Sequence, residues 1–268
     1  MYRKKPRKKT RNNACKNDLP WLSNKQMKKL RRFFPTPRGK PRVDDQRVLS
    51  GIIFVQMTGC RWRDAPAIYG SHKTLYTRWR RWSQKGWFEE TMRKMGRQSK
   101  KIHIVMIDAT YIKVHRTAIS LKCYAGELGR LIGKTNGGWN TKLHAICDAK
   151  GRIIDICLTG GNASDYKGAD ILLERLPQKV ECFLGDMGYD SNKNRKTLRS
   201  KGITPCIPGR SMRKKPIRYK KALYKKRHKI ENAFAKIKDW RRVANRYDRH
   251  PDMFLSACAL AVMVKFWL

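Results

Sequence analysis

Residues 224 to 238 read Tyr-Lys-Lys-Arg-His-Lys-Ile-Glu-Asn-Ala-Phe-Ala-Lys-Ile-Lys, and this stretch constrains the fold more than any other. Read as one helix at about 100° per residue, Tyr224, Arg227, Glu231 and Lys238 project within an arc of roughly 60°. Beside them Ile230, Ala233, Phe234 and Ile237 form an apolar face. A helix of this kind needs a core under its apolar side, and it presents one acid and two cations to the same cleft. Taken alone, the stretch also fits a solvated basic helix with an i,i+4 ion pair. The rest of the chain decides between the two.

The chain has 63 Lys and Arg against 20 Asp and Glu, a formal charge of +43 over 268 residues. Because the cations are interleaved with tryptophan and tyrosine throughout, they suit a nucleic acid better than a membrane surface, where charge gathers beside an amphipathic or lipidated segment. With 40% hydrophobic residues the chain can bury cores, enough for one domain of ordinary size and a smaller one. The cysteines at 15, 60, 123, 147, 157, 182, 206 and 258 include no Cys-x-x-Cys pair and no zinc-finger spacing with histidine. No secretory leader follows Met1, and the expectation is free buried thiols in a reducing cytoplasm. The apolar run from Met253 to Val264 is too short to span a bilayer and is expected to be a buried helix.

Residues 1–17 are read as a basic, disordered arm that settles on phosphates or simply solubilises the chain. Residues 18–97 are expected to form a small all-helical, helix-turn-helix-like DNA-binding domain. Ser23 and Gln26 make a capping box for a first helix carrying Met27, Leu30, Phe33 and Phe34. After a turn at Gly39-Lys-Pro-Arg42, Asp44 or Asp45 caps a second helix bearing Val48, Leu49, Ile52, Ile53 and Val55 and ending near Gly59. Residues 60–66 read as a loop. A third helix starts at Ser71, with Leu75, Trp79 and Trp82 inward and Thr74, Arg78, Arg81 and Lys85 on the other side. Lys73, Thr74, Arg78 and Arg81 are its candidate DNA contacts.

A polar join at 97–101 precedes a change to strand-like periodicity, and residues 102–268 are assigned to a second domain. Strands are expected at 102–114, 141–148, 153–158, 182–184 and 203–207, the first three as an antiparallel meander. A long glycine-rich, cationic loop occupies 113–140. Ser164 or Asp165 caps a helix through Leu172, Leu173 and Leu176, and a further helix covers 193–200. Three strands, a helix, a strand, a helix, a strand and then long helices is the order of a ribonuclease-H-like fold, an α/β architecture with a mixed five-stranded sheet flanked by helices.

In that order Asp108 and Asp186 sit on neighbouring central strands, and the helix bearing Glu231 packs across them. Three converging carboxylates suit magnesium, which takes oxygen ligands and keeps positions open for phosphate. Two such ions would activate a water or a 3′-hydroxyl and stabilise the leaving oxygen of an in-line phosphoryl displacement. Singly, Asp186 in Gly185-Asp-Met-Gly188 also reads as a turn residue, and Asp108 as a strand aspartate paired with a lysine.

These blocks resemble the DDE transposases of bacterial insertion sequences, in the insertion-sequence-four and -five superfamily and more closely its five-like branch. The resemblance rests on Tyr224-x2-Arg227-x3-Glu231-x6-Lys238, on Ile107-Asp108-Ala-Thr, and on Phe183-Leu-Gly-Asp186-Met-Gly-Tyr-Asp190-Ser. The N-terminal part adds Val43-Asp-Asp-Gln-Arg47, Thr58-Gly-Cys-Arg-Trp-Arg-Asp64 and Thr74-Leu-Tyr-x-Arg-Trp79. It implies a DNA strand-transferase that binds the terminal inverted repeats of its own element, cuts there and joins the ends to a target. It further implies Mg2+, with Mn2+ substituting, held by Asp108, Asp186 and Glu231, and DNA contacts from Lys238 supported by Tyr224 and Arg227. Double-stranded DNA and a homodimer or higher homo-oligomer on paired ends are the implied partners. A catalytically silent DNA-binding regulator of the same ancestry is the alternative.

Overall fold

The computed structural model describes residues 19–35, 44–98, 102–119, 129–177 and 179–268. The arm at 1–17, the Gly39–Arg42 turn, Cys15, Cys123 and part of the 113–140 loop lie outside them.

Four helices come first: α1 (Asn24–Arg31), α2 (Asp45–Thr58), α3 (His72–Gln84) and α4 (Trp87–Arg97). The capping box forms as expected, with Ser23 Oγ accepting from the Gln26 N–H at 3.2 Å and Gln26 Oε1 accepting from the Ser23 N–H at 2.7 Å. Asp44, not Asp45, caps α2 by accepting from the N–H groups of Gln46 and Arg47, and Gly59 ends that helix in the left-handed region at φ 72°. The 60–66 loop contains a single 3-10 turn, Trp62–Asp64. Helix α4 is absent from the sequence reading because nothing marks its start: Gly86 precedes it at φ 62° with no capping side chain.

The sheet follows, with strands β1 (Ile104–Val114), β2 (Gly133–Thr135), β3 (Gly138–Asp148), β4 (Ile153–Gly160), β5 (Cys182–Leu184), β6 (Thr204–Cys206) and β7 (Asn245–Arg246). Strands β1, β3 and β4 form the expected antiparallel meander, while β5 runs parallel to β1, and β6 parallel to β5. The central order β4-β3-β1-β5-β6 is that of a ribonuclease-H-like fold. Among the described residues the sheet has seven strands where five were expected. The short β2 lies in the segment read as loop and pairs with the start of β3, and two residues of β7 close on the end of β1. Strands of two or three residues are too short for alternation to show.

Helices α5 (Asp165–Glu174) and α6 (Asn192–Ser200) cover one face of the sheet; α7 (His228–Lys238) and α8 (Pro251–Val262) cover the other. Ser164 occupies the N-cap position of α5. As expected, α8 is almost wholly buried, and it runs into a π-helical turn, Met263–Trp267. Among the described residues no helix is long and apolar enough to cross a membrane. Helices α1–α4 share a single hydrophobic core with the sheet: Trp79, Phe88 and Met92 belong to the same buried cluster as Leu158, Phe234 and Leu260. Each such side chain contributes about 1.5–3 kcal/mol on leaving water, so the helices and the sheet stabilise each other.

On the opposite face α5 lies very close to β3. The His144 ring is fully buried, its Nε2 2.8 Å from Thr159 Oγ1, and burial pushes its pKa down to about 4. A Cβ built on Gly168 falls on this ring, so only glycine lets α5 approach. Gly168→Ala is expected to lower stability by about 1–3 kcal/mol through overpacking. A urea unfolding curve superimposable on that of the parent would show that α5 has room to move away.

Candidate active site

Alternation along β1 places Met106, Asp108, Thr110 and Ile112 on one face, where Met106 and Ile112 share a buried cluster with Ile230, Ala233, Phe234 and Ile237 of α7. That apolar contact lays α7 across β1, and polar contacts fix its register. Arg227 Nη1 donates to Asp108 Oδ2 at 2.8 Å, and its Nη2 donates to Glu231 Oε1. Lys238 Nζ donates to Thr110 Oγ1 at 2.7 Å and to the Tyr111 carbonyl at 3.2 Å. Lys229 Nζ reaches the Ala149 carbonyl, 2.8 Å away, in the β3–β4 turn.

The four residues that began the sequence reading are not on one continuous α-helix. Lys221–Tyr224 is a separate helical turn, Lys225–Arg227 is 3-10, and the α-helix starts at His228. The tighter 3-10 turn changes the angle between residues, so the 100° projection fails before His228. Tyr224 nonetheless stays beside Arg227, whose guanidinium lies 6.0 Å from its ring centroid, and packs edge-on against Tyr219 at 5.4 Å.

Asp186 lies just past β5, separated from it by Gly185. Because Met106 pairs with Leu184 in parallel, Asp108, two residues further along β1, comes beside Asp186, two residues beyond Leu184. Asp186 caps the 3-10 turn Met187–Tyr189, its Oδ1 accepting from the Gly188 N–H at 2.9 Å. Burial raises the Asp108 pKa, and the neighbouring charge of Asp186 raises it further against the opposing Ala109 N–H and Arg227. Burial opposes the ionised form of Arg227 as well, yet Asp108 and Glu231 raise its pKa overall. Burial lowers the pKa of Lys238.

Among the described residues no three Asp, Glu, His or Cys side chains are gathered closely enough to hold a metal ion. The donors nevertheless fit a divalent cation that prefers oxygen. Two carboxylates crowd each other at Asp108 and Asp186, and a cationic group, the Arg227 guanidinium, joins Asp108 to the third at Glu231.

Residues 99–264, more than half of the chain, match the sequence pattern of the transposase DDE domain. The chain belongs to this transposase family. Residues 22–92 match a second pattern, described as putative transposase of the IS4/5 family. The putative transposase for insertion sequence element IS402 of Burkholderia cepacia is 28% identical over 137 residues, covering 47% of this chain and 63% of its own. That for IS6501 of Brucella ovis is 34% identical over 129 residues, covering 48% of this chain and 98% of its own. The chain thus spans just under two thirds of the length of the IS402 protein. Among solved structures, a piggyBac transposase synaptic complex with hairpin DNA aligns over 60% of this chain and 45% of its own, at 10% identity and a TM-score of 0.38. A likeness that low adds nothing to the family assignment.

Within the chain the helix-turn-helix candidates divide. Lys73 and Arg81 are exposed and Thr74 is half-buried, whereas Arg78 turns inward, ion-paired with Asp45 and 5.0 Å from the Trp82 ring centroid. Asp190, quoted in the second acid block without a role, is the residue that the sequence reading missed. Its side chain is fully buried, and it accepts from Arg195 Nε at 2.7 Å, from Arg213 Nη2 at 2.8 Å and from the Arg210 N–H at 2.8 Å. Burial would raise its pKa, but Arg213, the Arg210 N–H and Arg195 together hold it down at about 2. An acid four residues after Asp186, in a chain with 20 acids among 63 cations, was a signal that could have been weighed.

In chelator, Asp108 gives a pH test with a defined sign. Its folded-state pKa is raised, so the ionised carboxylate costs stability, a cost absent below the unfolded value and complete above the folded one. Asp108→Asn is therefore expected to gain stability relative to the parent as pH rises through the carboxylate range. Urea unfolding midpoints of both proteins from pH 3 to pH 7 measure this, and a difference that stays constant would contradict the raised pKa.

Proposed function

We propose that the protein is a DNA transposase that binds the terminal inverted repeats of its own insertion sequence, cleaves there and transfers the ends to a target. The carrying observation is Asp108 within β1 beside Asp186 just past the end of the parallel strand β5, with Glu231 tied to Asp108 through Arg227. Asp108, Asp186 and Glu231 are proposed as the ligands of Mg2+, or of Mn2+ in its place. When bound, such a cation supplies the charge that activates a water or 3′-hydroxyl and stabilises the leaving oxygen.

The chain's own residues do the rest. Asp108 and Glu231 hold the guanidinium of Arg227 until DNA and cation are present, and Arg227 is then free for a phosphate beside Tyr224. Lys238 is bonded to Thr110 of β1, two residues beyond Asp108, and in this reading its amino group also contacts the end DNA. Residues 18–97 read the ends, with Lys73, Thr74 and Arg81 turned to DNA and Arg78 holding α3 against α2. The protein acts as a homodimer or higher homo-oligomer on paired ends, at the nucleoid of a bacterial cytoplasm. A phosphodiester exchanged for a phosphodiester needs no high-energy cofactor.

Gel shifts on the element's own ends, with cleavage followed in Mg2+, test this reading; end binding without cleavage would favour the silent regulator. Glu231→Asp withdraws a carboxylate by about 1.5 Å, more than a magnesium site tolerates, so single-turnover cleavage should fall at least about a hundredfold while end binding persists. Wild-type cleavage by this variant would remove Glu231 from the ligand set. Lys238→Ala leaves the acids in place and is expected to weaken end binding by roughly 1 kcal/mol, with the slope of log K against log salt shrinking by about one. The parent slope itself should be steep, several units or more, given the net charge of +43. A slope near one would mean that most of the cations face water.

A further inference from the structure

The Asp186 turn is held from behind by a residue with no assigned role. Asp186 Oδ1 accepts from the Gly188 N–H at 2.9 Å, and the carbonyl of that same peptide unit, Met187 C=O, accepts from Arg210 Nε at 3.2 Å. Arg210 Nη2 reaches the next carbonyl, that of Gly188, at 3.3 Å, and the guanidinium lies over the Tyr166 ring, 5.1 Å from its centroid. Tyr166 in turn donates its hydroxyl to the Asp190 carbonyl at 3.1 Å. A peptide unit is planar and stiff, so fixing its oxygen fixes the direction of its N–H. The Asp190 N–H also donates to the Met187 carbonyl, at 3.1 Å, so Arg210 is a second clamp on the Met187–Gly188 plane, whose N–H holds the Asp186 carboxylate.

What fixes Arg210 is the buried carboxylate of Asp190. Its Oδ2 takes the Arg210 N–H, and both of its oxygens take Arg213, which also donates to Asn192 Oδ1 at 2.9 Å. On its far side Arg195 joins Asp190 to the Ile207 carbonyl, 2.8 Å from Nη2, just beyond β6. The segment from 209 to 213 is thus fastened to the turn carrying Asp186 by charge-assisted hydrogen bonds to one carboxylate.

We propose that Arg210 is a positioning residue for Asp186, acting through the Met187–Gly188 peptide plane, with Asp190 as its anchor. The inference rests on the reading of Asp186 as a metal ligand. Gly188 occupies one oxygen of Asp186, and the other would be the one to take a cation. Without Arg210 the Met187 carbonyl keeps only the Asp190 N–H and the Gly188 carbonyl loses its guanidinium bond, so the plane that orients Asp186 is held less firmly. Partners of this kind, once removed from the ligand, change metal affinity by about 10–100-fold in general.

The test is Mn2+ uptake by the full chain on an end duplex, read by EPR as loss of the free-ion signal beyond that of the duplex alone. Arg210 is exposed and Asp190 keeps Arg195, Arg213 and the Arg210 N–H in Arg210→Ala, so the variant leaves the buried cluster intact. Its Mn2+ affinity is expected to fall roughly tenfold. Arg210→Lys, which restores one donor, should recover part of the loss. Lys215→Ala removes an exposed cation two residues beyond that segment and should leave uptake as in the parent. Equal affinity in Arg210→Ala and the parent overturns the inference, as does an equal loss in Lys215→Ala, which would trace the effect to charge alone. If the parent takes up Mn2+ and cuts its ends while Arg210→Ala is unchanged, only this inference fails; a parent that takes up none removes the metal-ligand reading with it.

Discussion

Asp108 within β1 and Asp186 two residues past the end of β5 share one half-buried neighbourhood because those strands pair in register. Burial is the main cause of the raised pKa of Asp108, and repulsion by the charge of Asp186 adds to it. Such a cost persists only where the surrounding structure compels it. Here the compulsion comes from the burial of Val105 and Met106 of β1 and Phe183 and Leu184 of β5, apolar residues whose pairing puts the acids where they are. Arg227 offsets part of the repulsion by bridging Asp108 to Glu231, which also sets the position of α7 on the sheet. Site and packing are in this sense one arrangement.

The same core binds the N-terminal helices into that arrangement. Glu89 of α4 is buried and accepts from Ser256 Oγ of α8 at 2.7 Å, while Arg242, just after α7, donates to the Cys60 carbonyl beyond α2 at 3.0 Å. A motion of α3 on DNA would therefore press on α8 and the end of α7 through packed side chains rather than through a free linker. Interiors are close-packed and resist such shifts, so a change at one end has few places to be absorbed.

Much of this was legible in the sequence, for reasons that differ by element. The central strands were visible because Val105 to Ile107 and Ile153 to Leu158 are apolar runs of strand length, and their order with the intervening helices led to the fold. The candidate acids were found because motif spacing agreed with that order. Helix α4 escaped notice because Gly86 gives no capping signal, and β2 and β7 because their pairing is decided by the strands beside them. The apparent single helix from Tyr224 misled because the 3-10 turn at Lys225–Arg227 leaves no mark in a run of cations. Asp190 was silent for another reason: its partners come from α6 and from the 209–213 segment, two stretches of chain that no spacing rule links.

The scarcity of acids in this chain gives each of them a legible task. With 63 cations to 20 acids, an acid on the surface can always find a partner, so an ion pair alone says little about purpose. Burial is what separates the acids. Asp190 is fully buried and has its two oxygens filled by three arginines, which makes it an anchor with no capacity to spare. Asp148 is nearly as buried and is spent on Arg152 and on the turn between β3 and β4. Asp108 and Asp186 are half-buried, and each has an oxygen committed to a neighbouring backbone N–H. Glu231 is more exposed than either and is bonded to Arg227. Arg227 joins Asp108 to Glu231, and the charge of Asp186 acts on Asp108, so the three acids singled out by the sequence motifs are linked through Asp108 rather than each tied off separately.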